Sequence, residues 1–288
     1  MIITVASGKG GTGKTTIATN LAVAISKPVR LLDCDVEEPN VHLFLKPDRV
    51  EVEKVHTMVP AVEESQCTLC GICSEICQFS AIVQIGNSVM TFPEMCHSCN
   101  GCLMACPEQA ITASKRQLGE IISGQVRNIE LFYGKLKVGE AMSPPLIERV
   151  KKHVDPKGIT IIDAPPGTSC PVAATLRDSD FVLLVTEPTP FGLNDLKLAV
   201  ETVRLLNIPM GMVINRSDIG TDATKRYAKK QGIPILLEIP HKREIAENYS
   251  KGVLMVDAIP LMKKSFEDLF SKVSELISQP SQLTKVAI

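Results

Sequence analysis

A glycine-rich segment near the amino terminus has the spacing of a phosphate-binding loop. The pattern Gly-x-x-x-x-Gly-Lys-Thr is filled by Gly8, Gly13, Lys14 and Thr15. Glycines let the backbone curl until its N–H groups face a phosphate, and a following helix adds its positive dipole end. The lysine of such a loop reaches the β- and γ-phosphates, and the threonine hydroxyl ligates Mg²⁺. We therefore expect a nucleotide with Mg²⁺ to be held by Gly8, Gly10, Gly11, Thr12, Gly13, Lys14, Thr15 and Thr16.

The flanking chain has the strand–loop–helix order that this motif requires. The apolar run Ile2–Val5 predicts a buried strand before the loop, and the run from Ile17 to Ile25 predicts a helix after it. The alternative is a glycine-rich turn with an incidental lysine, which this order disfavours.

Cysteines form a second set of reactive side chains. Eight of the ten cysteines lie between positions 67 and 106, as two copies of Cys-x-x-Cys-x-x-Cys-x-x-x-Cys offset by 29 residues. The same offset maps Ala81 and Ile82 onto Ala110 and Ile111, which indicates an internal duplication. Because disulfides rarely persist in cytosolic chains, the pattern favours metal ligation.

The cysteine spacing predicts two 4Fe–4S clusters. Three thiolates at i, i+3 and i+6 surround one face of a cluster, and the fourth cysteine of each run ligates the other cluster. The two predicted ligand sets are Cys67, Cys70, Cys73 and Cys106, and Cys96, Cys99, Cys102 and Cys77. Zinc is the alternative, but zinc sites usually combine two separated cysteine pairs. The whole segment resembles bacterial two-cluster ferredoxins, although Gln78 stands where a proline usually follows the fourth cysteine.

A further lysine, Lys9, lies inside the phosphate-binding loop and gives the pattern Lys-Gly-Gly-x-Gly-Lys-Thr. This pattern resembles the deviant loop of the MinD/ParA/Mrp/nitrogenase-iron-protein group of ATPases. The resemblance implies that ATP is the nucleotide and that Lys9 reaches the partner subunit's nucleotide across a dimer interface. A solvated loop charge is the alternative for Lys9.

Three carboxylates follow strand-like apolar runs. Asp33 and Asp35 come at the end of the run that begins at Val29, and Asp163 ends the run 159–163. In open α/β sheets, ligands bind beyond the carboxyl ends of the strands. Asp163 then matches a Walker-B aspartate that holds the Mg²⁺ shell. The resemblance further implies that Asp35 orients the attacking water and that Asp33 supports the Mg²⁺ site. Carboxylates that merely cap strands are the alternative.

Three further residues receive roles from the same resemblance. The segment Asp-Ala-Pro-Pro-Gly that ends at Gly167 resembles a switch loop that orders with ATP and relaxes after hydrolysis. Asn215 matches the residue that reads adenine, and Pro240 begins a segment expected near the base; an ordinary turn asparagine is the alternative for Asn215. Cys170 lies where nitrogenase iron proteins hold a shared cluster, and the alternative is a small residue in a switch loop.

Composition narrows the classes of partner. The chain has 31 Lys and Arg residues against 32 Asp and Glu residues, so charge offers no reason to expect binding to nucleic acid or to anionic membranes. No uncharged apolar run approaches the roughly 18 residues of a membrane span. The amino terminus runs from a strand into the loop and does not resemble a signal peptide. A cytoplasmic protein is expected.

Strands that alternate with helices predict an α/β fold, with a mostly parallel sheet covered by helices on both faces. The ATPase domain is expected to be discontinuous, over residues 1–55 and 115–288, with a small α+β ferredoxin-like domain inserted at 56–114. Segments 134–139 and 144–145 are interpreted as connecting loops. The amphipathic segment 265–277 is expected to dock on the sheet, and residues 279–288 are expected to form a loose tail.

These patterns lead to three hypotheses about function. In the first, ATP binding closes a dimer, which is a homodimer or a heterodimer with a related chain. Closure gates electron transfer to a partner protein, or cluster assembly on that partner. The partner is a redox protein or a metallocluster-bearing protein. In the second, the chain is a cluster carrier of the Mrp kind. In the third, it is a nucleotide switch that recruits partners, with structural or redox-sensing clusters.

Overall fold

The computed structural model describes residues 1–278, so the tail expected at 279–288 lies outside the described residues. The chain divides into two compact units. The first unit contains Met1–Val52, Ile121–Lys135 and the chain from Ile147 onward. The second unit contains Glu53–Glu120 and Leu136–Leu146.

Strands and helices alternate along most of the chain. The strands are β1 Ile2–Ala6, β2 Val29–Asp33, β3 Val50–Val62, β4 Ile82–Ile85, β5 Ser88–Thr91, β6 Ile111–Val126, β7 Ile129–Leu136, β8 Ile159–Asp163, β9 Phe181–Thr186, β10 Met210–Asn215 and β11 Ile235–Ile239. The helices are α1 Lys14–Ala24, α2 Val41–Phe44, α3 Ile72–Ile76, α4 Gly101–Ala105, α5 Pro144–Lys151, α6 Cys170–Leu176, α7 Pro190–Leu205, α8 Ala223–Gln231, α9 Arg243–Ser250, α10 Met255–Ala258 and α11 Pro260–Ser278.

The strand order of the large sheet is β11-β10-β9-β1-β8-β2-β7-β6-β3. The pairs from β11 through to β7 are all parallel. Parallel strands end at the same edge of a sheet, so the chain leaves β1, β2, β8 and β10 at one common edge. The predicted α/β fold with a mostly parallel sheet is confirmed.

Apolar side chains cover both faces of this sheet. Along β9 the side chains alternate: Leu183 and Val185 pack in one buried cluster, whereas Val182 and Leu184 pack in another. The first cluster includes residues of α1 and α11, such as Ile17 and Phe266. The second cluster includes residues of α6, α7 and α8. Burial on both faces explains why β9 is a continuous apolar run rather than an alternating one.

Some expected boundaries are wrong. Residues 134–136 belong to the end of β7 rather than to a loop, and Pro144 begins α5 rather than preceding it. Proline is tolerated there because the first N–H groups of a helix have no partner within the helix. Helix α1 begins at Lys14, inside the phosphate-loop motif and earlier than the apolar run indicated.

In the second unit, the two cysteine runs have the same backbone conformation. Each run begins after a 3₁₀ turn, Glu64–Gln66 in one and Pro93–Met95 in the other, and continues into a five-residue helix, α3 or α4. Strands β4 and β5 form an antiparallel pair between the two runs. Gly71 and its counterpart Asn100 both have positive φ, +80° and +62°, so the glycine–asparagine mismatch preserves one conformation.

Candidate functional site

The phosphate-binding loop lies between β1 and α1. Gly13 has φ +96°, and a Cβ there would lie 2.6 Å from the side-chain nitrogen of Asn215. That nitrogen donates a hydrogen bond to the Thr12 carbonyl oxygen at 2.9 Å. Glycine at position 13 therefore allows both the left-handed backbone and the close approach of Asn215, which ties the end of β10 to the loop.

Two neighbouring segments pack against the start of this loop. A Cβ at Gly8 would lie 2.1 Å from the backbone oxygen of Asp195 in α7, so only glycine allows this approach. The Gly167 N–H donates to the Ser7 carbonyl oxygen at 3.0 Å, and Gly167 has φ +98°. The segment predicted as a switch thus contacts the chain directly before the loop.

A cavity of about 390 Å³ opens at the carboxyl edge of the sheet in the first unit. Its volume is within the range of about 300–1,000 Å³ that is common for small-molecule sites. Lining it are Gly10, Gly11, Gly13, Lys14, Thr15, Thr16, Asp35, Pro166, Asn215 and Pro240. His241, Lys242, Ile245, Ala246 and Tyr249 also line it, so loop residues that would hold phosphates share one cavity with residues expected near the base.

Asp163 and Thr15 form the part of the site suited to Mg²⁺. The Thr15 hydroxyl donates to Asp163 Oδ2 at 2.6 Å, whereas Asp163 Oδ1 is buried and has no hydrogen-bond partner among residues 1–278. Burial raises the pKa of Asp163 to about 7, against the lowering effects of Thr15 and Lys14. An unpartnered buried carboxylate oxygen beside a hydroxyl fits Mg²⁺, which prefers oxygen ligands.

Asp35 lines the same cavity, whereas Asp33 lies beneath it. Burial raises the pKa of Asp35 to about 6, Lys14 lowers it, and Glu38 raises it. Asp33 is fully buried and accepts hydrogen bonds from the backbone N–H groups of Asp35, Asn40 and Val41 at 3.0, 2.9 and 3.1 Å. Burial and the nearby Asp163 carboxyl raise the pKa of Asp33. Asp33 therefore holds the loop that carries Asp35.

Lys9 has a charged neighbour that the sequence reasoning missed. Its ammonium lies 3.9 Å from Glu187 Oε2, and the Arg216 guanidinium lies 3.0 Å from Glu187 Oε1. The Glu187 side chain is only 9% exposed. Its position one residue after the buried run 181–186, at the ligand-binding edge of the sheet, was the available sequence signal.

The side-chain amide of Asn215 contacts protein groups at both ends. Its nitrogen donates to Thr12, as described above, and its oxygen accepts a hydrogen bond from the Arg216 N–H at 3.0 Å. Asn215 also lines the nucleotide-sized cavity, together with Pro240. The role of Asn215 in reading adenine stays a prediction, and the observed contacts identify it as a brace for the loop.

The eight clustered cysteines line two cavities in the second unit. Cys67, Cys70, Cys73 and Cys106 line one, and Cys77, Cys96, Cys99 and Cys102 line the other. This division matches the two predicted ligand sets. Within residues 1–278, no group of three or more His, Cys, Asp or Glu side chains is arranged to hold a metal ion. Cluster binding therefore stays a prediction that rests on donor type and shared cavity.

Backbone N–H groups point at some of these thiols. Ala81 donates to Cys77 Sγ at 3.2 Å, and its counterpart Ala110 donates to Cys106 Sγ at 3.3 Å. Although burial acts in the opposite direction, N–H groups of residues 79–82 lower the pKa of the Cys77 thiol. The Ser98 N–H also donates to Cys96 Sγ at 3.4 Å. Four thiols per cavity, with hydrogen-bond donors to three of the sulfurs, fit the chemistry of an iron–sulfur cluster, which thiolates hold and N–H···S bonds tune.

The remaining two cysteines lie outside these cavities. Cys34 is buried, and Cys170 is exposed at the first residue of α6. Among residues 1–278, no helix has the combination of length and apolar character that crossing a membrane demands.

The sequence matches the family model of the CobQ/CobB/MinD/ParA nucleotide binding domain over residues 3–255. An uncharacterized protein of Methanocaldococcus jannaschii is 34% identical over 88% of this chain and 90% of its own length. A protein of the same organism named iron-sulfur cluster carrier protein is 26% identical over 96% of this chain and 84% of its own length. The septum site-determining protein MinD of Pyrococcus horikoshii, solved with Mg-ADP, has a TM-score of 0.60 at 21% identity and covers 96% of each chain, which establishes similarity of fold.

Proposed function

Since this chain belongs to the CobQ/CobB/MinD/ParA nucleotide-binding family, we propose that it is a Mg²⁺-dependent ATPase in which a nucleotide-dependent dimer controls iron–sulfur chemistry. That chemistry is electron transfer to a partner protein, or metallocluster assembly on it. The observation that carries the proposal is the occurrence, in one chain, of a phosphate-loop cavity and two cavities lined by four cysteines each.

In this proposal each polar residue of the nucleotide site has its own task. Lys14 and the loop N–H groups bind the phosphates, and Thr15 with Asp163 would hold Mg²⁺. Asp35, held by its backbone contact with Asp33, accepts a hydrogen bond from the attacking water. Gly167 senses the γ-phosphate from its contact with the chain before the loop. Lys9 reaches the nucleotide of a second subunit, which is another copy or a related chain.

The eight clustered cysteines would hold two 4Fe–4S clusters, which supply one-electron chemistry when bound. Each predicted set contains four thiols from this chain alone, so no ligand is left for a partner to provide. A closed ligand set suits a resident electron carrier better than cargo, because cargo needs ligands that exchange. The partner is accordingly expected to be a redox or metallocluster-bearing protein.

The test is an anaerobic purification followed by EPR of the reduced protein with and without ATP. We expect two interacting 4Fe–4S signals that change shape, or reoxidise faster, when ATP is added. Lys14→Ala is the matched control, because it should retain both signals and lose the response to ATP. Signals that are identical with ADP, with ATP and without nucleotide would argue against gating, and protein without iron would refute the cluster assignment.

A cluster carrier is the second candidate. A relative across nearly the whole chain bears the name iron-sulfur cluster carrier protein, and Cys170 is an exposed thiol outside the two four-cysteine sets. If cargo is held through Cys170 in a dimer, Cys170→Ala should abolish transfer of iron to an apo-acceptor. Ser169→Ala is the control in the same loop, because its side chain makes no capping hydrogen bond to α6. Normal transfer by Cys170→Ala would exclude this route.

A further inference from the structure

The internal duplication makes the two cysteine cavities comparable residue by residue. Two further pairs of equivalent residues share a left-handed backbone, as Gly71 and Asn100 do. The φ angles are 60° at Leu69 and 56° at Ser98, and 51° at Ser80 and 53° at Gln109. Because the backbone conformation is repeated so closely, the two cavities can be compared by the side chains at equivalent positions. We name the cavity of Cys67, Cys70, Cys73 and Cys106 the first cavity, and the cavity of Cys77, Cys96, Cys99 and Cys102 the second cavity.

The first difference is an aromatic pair over the second cavity. Phe79 and His97 line it and stack on each other, with ring centroids 3.5 Å apart and an interplanar angle of 9°. Adding 29 to Phe79 leads to Glu108, and subtracting 29 from His97 leads to Thr68. Glu108 and Thr68 line the first cavity. The second cavity is thus lined by two stacked, solvent-exposed rings, and the first has a carboxylate and a hydroxyl at the same positions.

The second difference is how the cysteine loops are anchored. The Ser98 hydroxyl lies 2.6 Å from the Thr57 hydroxyl and donates to the Met58 carbonyl oxygen at 2.6 Å. These bonds tie the loop of the second cavity to β3. The counterpart of Ser98 is Leu69, whose side chain has no polar atom for such bonds. The burial of the thiols does not distinguish the cavities, since each contains one buried cysteine, Cys73 or Cys96.

We propose that the two cavities have different tasks: the second cavity retains its cluster, whereas the first cavity is the site at which small reagents from solvent reach a cluster. This inference rests on the proposed binding of two 4Fe–4S clusters and adds which of the two is more accessible from solvent. Phe79 and His97 act by excluding water and small reagents from the second cavity. Glu108, an exposed carboxylate whose oxygens can bind iron, lines the first cavity.

The test is the loss of iron from the purified holoprotein to the chelator bathophenanthroline disulfonate under anaerobic conditions. We expect two phases of equal amplitude. A stacked aromatic pair contributes up to about 1.5 kcal/mol, so the slow phase should be about three- to tenfold slower than the fast one. The variant His97→Thr, which places the residue of the first cavity in the second, should bring the slow phase close to the fast one. Phe79→Leu keeps an apolar side chain without a ring and should act in the same direction.

The reciprocal variant tests the same idea from the other side. Thr68→His combined with Glu108→Phe builds the aromatic pair over the first cavity and should slow the fast phase. Protein that carries two clusters but loses iron in one phase would overturn this inference and leave the proposed function standing. Two phases that are unchanged in both His97→Thr and Phe79→Leu would also overturn it. Protein without any cluster would refute the proposed cluster binding, and this inference with it.

Discussion

Two carboxyls of the nucleotide site, Asp35 and Asp163, titrate close to neutral pH because they are buried. Their pKa values are raised to about 6 and about 7, and Lys14 opposes the shift in both cases. A protonated Asp163 cannot supply a charged ligand to Mg²⁺, and a protonated Asp35 is a poorer acceptor for water. In the proposed mechanism hydrolysis requires both carboxyls to be ionised, and these forms become populated only as the pH rises through this range.

We accordingly predict that kcat/KM for ATP hydrolysis falls as the pH drops through about 7 and then about 6. The sign follows from the raised pKa values, since lower pH adds protons to carboxyls that must be ionised. Steady-state assays from pH 5 to 9, at saturating Mg²⁺, measure the profile, because kcat/KM reports the free protein. In Glu38→Gln the fall near pH 6 should move to lower pH, because Glu38 raises the pKa of Asp35. A flat profile from pH 5 to 8 would contradict the assignment.

Glu187 is the other residue with a definable electrostatic effect. Its buried carboxylate pairs with Lys9 and Arg216, and Arg216 also lines the nucleotide-sized cavity. A nucleotide brings negative phosphates to the same cavity, so Glu187 competes with phosphate for Arg216. The Glu187 side chain is 9% exposed but that of Arg216 is 46% exposed, so salt screens the pair in part and the competition is best measured at low ionic strength.

The variant Glu187→Gln is therefore expected to bind ADP about three- to tenfold more tightly, which corresponds to roughly 0.7–1.4 kcal/mol. Glutamine retains the shape and an acceptor for Arg216, so the fold should be preserved. Titration with a fluorescent ADP analogue measures the change, and the exposed Glu201→Gln serves as control. Unchanged or weaker ADP binding in Glu187→Gln would show that the carboxylate does not compete.

At the scale of elements, the phosphate loop depends on its contact with the first turns of α7. The backbone at Gly8 approaches Asp195 so closely that a Cβ would lie 2.1 Å from the carbonyl oxygen and 2.4 Å from the carbonyl carbon. A backbone carbonyl in a helix cannot rotate away as a flexible side chain can. The separation of β1 from α7 is therefore set by a glycine.

Gly8→Ala should destabilise the fold by about 1–3 kcal/mol, the usual cost of inserting a methyl group into a packed contact. Gly10→Ala is the matched variant in the same loop, because a Cβ there meets nothing within 4 Å. Urea denaturation of both variants without nucleotide measures the difference in unfolding free energy. Equal midpoints for Gly8→Ala and Gly10→Ala would mean that α7 shifts freely away from the loop.

At the scale of the whole molecule, the proposed ATPase cycle requires a second subunit, because Lys9 is expected to act on a partner's nucleotide. In the single chain its ammonium faces Glu187 at 3.9 Å. A lysine that contacts the phosphate of bound ATP across an interface adds binding free energy to the dimer and none to nucleotide binding by one chain. Dimerisation and ATP binding are then separable.

We expect ATP to double the solution mass of the slowly hydrolysing variant Asp35→Asn, and Lys9→Ala in that background to remain monomeric while it binds ATP normally. Light scattering after size exclusion measures the mass. Lys27→Ala, an exposed lysine outside the loop, is the control and should dimerise. If Lys9→Ala dimerises like Asp35→Asn alone, Lys9 does not act across an interface.

Local patterns in the sequence predicted the elements that carry the site. Strand β8 has the predicted bounds, and β1 and β2 lie where the apolar runs predicted them, because each is a short apolar run bounded by residues that favour turns. The phosphate loop and the division of the cysteines also follow from spacing along the chain. Such information is contained within a few neighbouring residues, so one sequence was enough.

Tertiary structure alone decided the contacts between segments that are distant in the chain. Glu187 beside Lys9, Asn215 against Gly13 and Asp195 against Gly8 arise because the strand order places β9 and β10 on one side of β1, far from their order in the sequence. The stacking of Phe79 on His97 arises in the same way, when the two halves of the duplication fold together. Hydrophobic periodicity encodes which residues are buried, but not which distant residue each one meets, because that depends on how whole elements pack.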